Sequence, residues 1–220
     1  MAVVRRGPVR PRPVFGREGD VRILRAAART AVPWRNGGGL TREVAAHPPG
    51  AGWDAFAWRV SLAEVTRDGP YSPLPGVHRI LTVVEGAGLE LTVDGTVHHL
   101  PGRYRPFGFP GAAATGSRLL GGPVVNLNVM VRAGRTAADV ALVRGSREVA
   151  GPGTAVVVAL DGATWLGPAA AGEEAVRLAR YDAAVLEGAP DAAAPVVVRT
   201  SGTAALICLS DVNGPAATGR

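Results

Sequence analysis

The chain has 220 residues, 47% apolar but only 5% aromatic, with 30 glycines and 18 prolines, so its core must be aliphatic and cut into short segments. No run approaches the roughly 18 apolar residues of a membrane span, and no stretch of signal-peptide length follows Arg5 and Arg6, so the cytoplasm is the expected compartment. The net charge of +6 invites a nucleic-acid reading, but half of it lies in residues 1–20, where five arginines face Glu18 and Asp20, and the evenly mixed remainder argues against a phosphate-binding surface.

Taken in chain order, residues 1–20 carry Gly7, Pro8, Pro11 and Pro13 among those arginines, a composition that cannot offset its ordering entropy, and are expected to be disordered. Order is expected from Val21-Arg22-Ile23-Leu24, followed by a turn or short helix from Ala26 to Thr30 that Pro33 closes. Strand-like runs follow at Leu40 to Ala45 and at Phe56 to Val65, where Phe56, Trp58, Val60 and Leu62 share one face at period two. Arg79 to Gly86 and Leu89 to Val93 pass through Gly88 to the turn Asp94-Gly95 and read as a meander. Tyr104 to Pro110, Ser117 to Leu120 and Val124 to Val131 complete the first half. The second half repeats the habit at Asp139 to Val143, Thr154 to Leu160, Ala175 to Tyr181 and Ala183 to Leu186. A last pair of strands is expected at Val196 to Thr200 and Ala204 to Leu209. Glu85-Gly86 is echoed by Glu187-Gly188, a hint of internal duplication. This strand density predicts an all-β sandwich or barrel with few short helices. Cys208, the single cysteine, sits in the apolar run Ala204 to Leu209 and reads as a small buried hydrophobe.

The segment Pro33-Trp34-Arg35-Asn36-Gly37-Gly38-Gly39-Leu40-Thr41-Arg42-Glu43 is the most informative. Three consecutive glycines need positive φ or close backbone approach. A tight turn before a strand is the simpler account. The alternative is a pocket wall, in which amides bared at Gly37 and Gly38 meet an anion beside Asn36, Thr41, Glu43 and Trp34.

Together with Trp58 to Val65, Asp68-Gly69-Pro70-Tyr71-Ser72, Pro75 to Arg79, Glu85-Gly86 and Leu119 to Met130, this segment resembles the HutD/Ves family. The likeness runs from about Val21 to about Val212 and is strongest through Arg135. It implies a cupin-like bicupin domain over 21–213, with an N-terminal half of about 21–131, a C-terminal half of about 132–213, and a flexible tail at 214–220. It also implies a link to bacterial histidine utilisation for one branch and to environmental stress for the other, with no established enzymatic activity. Three positions depart from the family pattern. His78 and Ala112 stand where Asp is usual and Asn126 where Asp is common, so carboxylates give way to neutral groups and an anion-friendly pocket is favoured.

A metal-dependent cupin enzyme would need three histidines and a carboxylate. The four histidines are His47, His78, His98 and His99, and none follows residue 99. The adjacent His98 and His99 would point to opposite faces of a strand. Cys208 has no histidine in its half, Ser61 lacks the glycine-flanked elbow of a hydrolase, and the glycine run lacks the ending of a phosphate loop. No metal, cofactor or catalytic set is therefore expected.

The remaining reading is an arginine-lined pocket in the N-terminal half, with the C-terminal half mainly structural. Arg59 lies on the face opposite Trp58 and Val60, towards solvent or a barrel mouth. With Arg79 it would clamp a carboxylate. Trp34 and Trp58 would form an apolar wall, and Asn36, Thr41, Ser61 and Asn128 would supply hydrogen bonds. Glu43 would hold an arginine or meet a donor on the ligand. The expected function is a non-catalytic, metabolite-binding accessory of histidine utilisation that takes urocanate or formylglutamate. The alternatives are a metal-free isomerase or hydrolase using Glu43 or His78 as base, and a protein-interaction or stress-related module. No nucleic-acid or membrane partner is expected, and a homodimer is kept open.

Overall fold

The computed structural model describes residues 21–149, 153–168, 175–188 and 196–212. The extension expected over 1–20 and the tail expected over 214–220 lie outside the described residues. The first strand, β1 (Val21–Leu24), leads through one 3-10 turn (Ala26–Ala28) to β2 (Ala31–Pro33), β3 (Gly39–His47) and β4 (Trp58–Val65). Then come β5 (Gly69–Pro70), β6 (Val77–Glu85), β7 (Gly88–Val93), β8 (Thr96–Pro101), β9 (Phe107–Pro110), β10 (Thr115–Leu119) and β11 (Val124–Arg132). The rest of the chain forms β12 (Thr136–Val149), β13 (Thr154–Asp161), β14 (Thr164–Pro168), β15 (Val176–Leu178), β16 (Ala183–Glu187) and β17 (Val196–Asp211).

These strands make three sheets. A central sheet has the order β2-β3-β4-β11-β6-β9, and a four-stranded sheet, β5-β10-β7-β8, covers its inner face. The C-terminal sheet has the order β1-β16-β13-β17-β14-β15, with β12 also on β17. All of the pairings are antiparallel. Asp94 and Gly95 both take positive φ, as a two-residue turn between β7 and β8 requires.

Period-two alternation divides the core. On β6, Leu81 and Val83 pack under the covering sheet with Leu89, Leu91 and Phe109, while Val84 faces the C-terminal sheet. On β13, Val156, Val158 and Leu160 face the central sheet while Val157 and Ala159 fill the interior of the C-terminal sheet. Both faces of β13 are buried, so it reads as a continuous apolar run rather than an alternating one.

Several elements differ from the sequence reading. β1 pairs with β16, so the first ordered segment completes the C-terminal sheet although it precedes the N-terminal half. It is pinned there by Asp182, whose buried carboxylate accepts hydrogen bonds from the Ala26 N–H at 2.7 Å, the Ala179 N–H at 3.0 Å and Arg25 Nη1 at 2.7 Å. The expected last pair of strands is one sixteen-residue strand, β17. Its first part pairs with β14 and its second with β13, while β12 runs beside both, so Ser201 and Gly202 bend the strand instead of reversing it. Phe56 does not share the face of Trp58, Val60 and Leu62: it precedes β4 and packs with Val77 and Met130.

Candidate functional site

A cavity of about 910 Å³ opens on the inner face of the central sheet, where the 70–74 segment and the Trp34 and Trp53 side chains wall it in. Strand register builds its floor in cross-strand rows. Arg59 on β4, Met130 on β11 and Arg79 on β6 form one row. Glu43, Ser61 and Asn128 form the next, and Thr41, Ala63 and Asn126 the third. Residues that share a row share a face, so the sheet aims all of these side chains to one side. A bulge between Glu43 and Ala45 then changes the phase of β3, and Val44 and Ala45 join the core on the opposite face.

The charges in the cavity are unequally satisfied. Arg59 Nη2 lies 2.9 Å from Glu43 Oε2, and its guanidinium stacks 4.4 Å from the Trp53 ring centroid. Arg79 is only 7% exposed, and among the described residues no carboxylate pairs with it. Its guanidinium sits 5.1 Å from the ring centroids of both Tyr71 and Phe109, and its Nε has no hydrogen-bond partner. Burial pulls the Arg79 pKa down, with Tyr71 pushing the other way, yet an arginine keeps its charge at neutral pH. Burial also raises the Tyr71 pKa, opposed by the neighbouring Ser117 side chain and the Arg79 charge. A buried guanidinium without a counter-charge carries a penalty of several kcal/mol, which two ring faces offset only in part. An anion entering the cavity would supply what the chain withholds.

The floor is polar as well. Asn126 is 1% exposed with neither amide atom hydrogen-bonded, and Asn128 Oδ1 is also buried without a partner. At the rim the Trp34 indole N–H donates to Thr41 Oγ1 at 2.8 Å, which fixes the ring edge-on to Tyr71.

Of the residues singled out from sequence, Trp34, Asn36, Thr41, Glu43, Arg59, Ser61, Arg79 and Asn128 line this cavity. Gly37 and Gly38 do not line it, because their amides serve the turn itself. The Gly37 N–H donates to Trp34 O at 3.0 Å and the Gly38 N–H to Asn36 Oδ1 at 3.0 Å. Gly39 is required by close approach, since a Cβ there would lie 2.1 Å from the Glu64 carbonyl oxygen. Gly37 and Gly38 thus form a turn that leads into β3 at Gly39. Trp58 also lies elsewhere. It is buried in the core against the C-terminal sheet and stacks on His47 at 6.0 Å, because adjacent residues of a strand cannot both face the cavity and Arg59 does. Trp53 and Tyr71 provide the aromatic surface expected of Trp58. Both come from irregular segments that carry no periodic signal. Asn126 and Met130 were legible by stepping two residues either way from Asn128.

The three departures separate in space. His78 and Ala112 are exposed, and only Asn126 faces the cavity. The histidines are dispersed: besides His47 and His78, His98 packs on Phe107 at 4.5 Å and His99 lies 3.3 Å from Glu90. Among the described residues no three or more His, Cys, Asp or Glu side chains are grouped so as to hold a metal. No helix there is long and apolar enough to cross a membrane.

The profile of the HutD family matches residues 26–206, most of the chain. The chain belongs to the HutD family. Among its HutD-like relatives is an uncharacterised 21.2 kDa protein in the hutC 3′ region of Pseudomonas putida, 32% identical over 169 residues that cover 77% of this chain and 88% of that protein. Protein Ves of Citrobacter koseri is 35% identical over 135 residues, 61% of this chain and 70% of its own. The structure of HutD from Pseudomonas fluorescens SBW25, solved in a formate condition, superposes with a TM-score of 0.74 at 29% identity, over 87% of this chain and 98% of that one. The likeness reaches a salicylate 1,2-dioxygenase variant of Pseudoaminobacter salicylatoxidans at 13% identity and a TM-score of 0.53, over 93% and 84% of the two chains. At that identity it shows the fold alone, which is cupin-like.

Proposed function

We propose that this HutD-family chain is a non-catalytic binding protein for a small carboxylate, an accessory of histidine utilisation whose ligands include urocanate or formylglutamate. The observation that carries the reading is Arg79, a buried guanidinium facing a cavity with no carboxylate of its own among the described residues. A carboxylate ligand would complete it by charge-assisted hydrogen bonds while Tyr71 and Phe109 hold the guanidinium plane. Arg59 plays a different part from Arg79. Its charge is matched by Glu43, so the pair orients the rim and leaves the net positive charge deeper inside. The histidine link draws support from the name of the Pseudomonas putida relative, which places it in the hutC 3′ region, and from the name of the Pseudomonas fluorescens structure.

An enzymatic reading narrows to Glu43, which faces the cavity, because His78 projects from the other face of β6. Titration calorimetry with urocanate and with formylglutamate, followed by product analysis of the same mixtures, separates these readings. Saturable binding without product is expected. Turnover would overturn the accessory role, and the absence of any binding would favour an interaction module in which the cavity has no ligand.

A further inference from the structure

Asn126 is the most buried of the unpartnered asparagine and arginine side chains that line the cavity. It is 1% exposed, its row neighbours Ala63 and Val83 are apolar, and among the described residues neither its Nδ2 nor its Oδ1 has a partner. Leaving such an amide unpaired in a core is expensive, whereas an apolar residue of the same size would be nearly neutral there. The adjoining Asn128 Oδ1 adds a second unpaired acceptor. The buried unpartnered atoms of these two asparagines are thus two acceptors and one amide nitrogen, and a carboxylate, which only accepts, can satisfy just the nitrogen. A planar group with an N–H beside a carbonyl or ring nitrogen satisfies both sides of the Asn126 amide at once. Along β11, Asn126 lies four residues from the row of Arg79, about 13 Å at strand rise. One ligand must therefore carry two separated polar groups to meet both ends.

We propose that Asn126, backed by Asn128, is a specificity-determining residue that selects ligands bearing a neutral N–H-containing amide or azole group at the end remote from the carboxylate. The selection rests on the carboxylate reading of Arg79 but makes a separate demand. Charge alone would draw a dicarboxylate into a cavity with a net positive guanidinium. The Asn126 amide reverses that order, because a second carboxylate there leaves Oδ1 unpaired and facing a negative group; of the two ligands named above it therefore favours urocanate, with one carboxylate and an azole, over the dicarboxylate formylglutamate.

The test uses two probes that differ only at one end, glutarate and its monoamide glutaramate, titrated calorimetrically into the full chain and into N126L and R79M. The wild type is expected to bind glutaramate at least about tenfold more tightly than glutarate. N126L should erase or invert that ratio, and R79M should weaken both probes together. Equal or tighter binding of glutarate by the wild type, or an unchanged ratio in N126L, overturns the role of Asn126. Loss of both probes in R79M with either of those results leaves the carboxylate reading standing alone. Unaltered affinities in R79M, or no binding of either probe at millimolar concentration, overturn both. If N126L fails to unfold cooperatively, N126A gives the same comparison.

Discussion

The inner face of the central sheet and the interior of the C-terminal sheet are both walled by twisted antiparallel strands, yet they are filled in opposite ways. In the C-terminal sheet Val157, Ala159, Leu166, Ala184, Val198 and Leu206 close the space with aliphatic side chains. Its buried hydroxyls Thr164 and Thr200 hydrogen-bond each other at 3.1 Å. In the N-terminal half the corresponding space keeps Arg79, Asn126 and Asn128, each with a buried polar atom that no group among the described residues satisfies. A filled interior stabilises the fold; one that retains unpaired polar atoms gives up stability for recognition. The difference lies in a few inward positions, with the strands themselves unchanged.

The first way to break this contrast is to open the filled side. Leu206→Ala is expected to lower unfolding free energy by about 3 kcal/mol, read from the urea midpoint, because its neighbours cannot collapse into the space. A loss under 1 kcal/mol would mean that the C-terminal interior is not the close-packed half.

The matching change on the open side should act on binding. R79M is expected to weaken urocanate or glutaramate about 100-fold, as loss of a buried charge-assisted pair does, while the urea midpoint stays level or rises. A destabilised R79M with intact affinity would make Arg79 a structural residue.

Gly39→Ala tests the close approach of β3 to β4 just after the glycine turn. Placing a Cβ against the Glu64 carbonyl should cost about 2 kcal/mol, measured by thermal unfolding, and disturb the Trp34 rim.

The smallest effect concerns the clamp between β1 and the C-terminal sheet. Burial by itself would raise the Asp182 pKa, but hydrogen bonds from Ala26, Arg25 and Ala179 and the Arg25 charge outweigh it and hold the carboxyl below its ordinary value. A depressed folded pKa stabilises above the unfolded value and is lost as pH falls through the folded one. Asp182→Asn should therefore be less stable than the wild type by about 1 kcal/mol at pH 7, and the two should converge below about pH 4. A gap that persists in acid would assign the effect to packing.

Strand positions were largely legible because apolar, β-branched runs are bounded by glycine and proline, and because Asp94-Gly95 has a single favourable use. β14 escaped notice, since Thr164-Trp165-Leu166-Gly167-Pro168 carries both a glycine and a proline. β17 read as two strands because Ser201 and Gly202 resemble a hairpin turn, and only pairing with β12 along both parts keeps them in one strand. In the site, Arg59 could be placed opposite Trp58 by periodicity alone, but that same rule removes Trp58 from the cavity.

By itself the sequence determined the all-β class, the family likeness and the confinement of the histidines to the first 99 residues, because composition, turn residues and ordered motifs are local properties of the chain. Tertiary structure decided which charges are matched. Arg59 finds Glu43 across β3 and β4, whereas among the described residues Arg79 finds two rings and no carboxylate, and no spacing along the chain distinguishes them. It also decided that of three lost carboxylates only the one at Asn126 bears on the cavity. Burial and pairing are properties of neighbours brought together from distant strands, so they exist only once the sheets have closed.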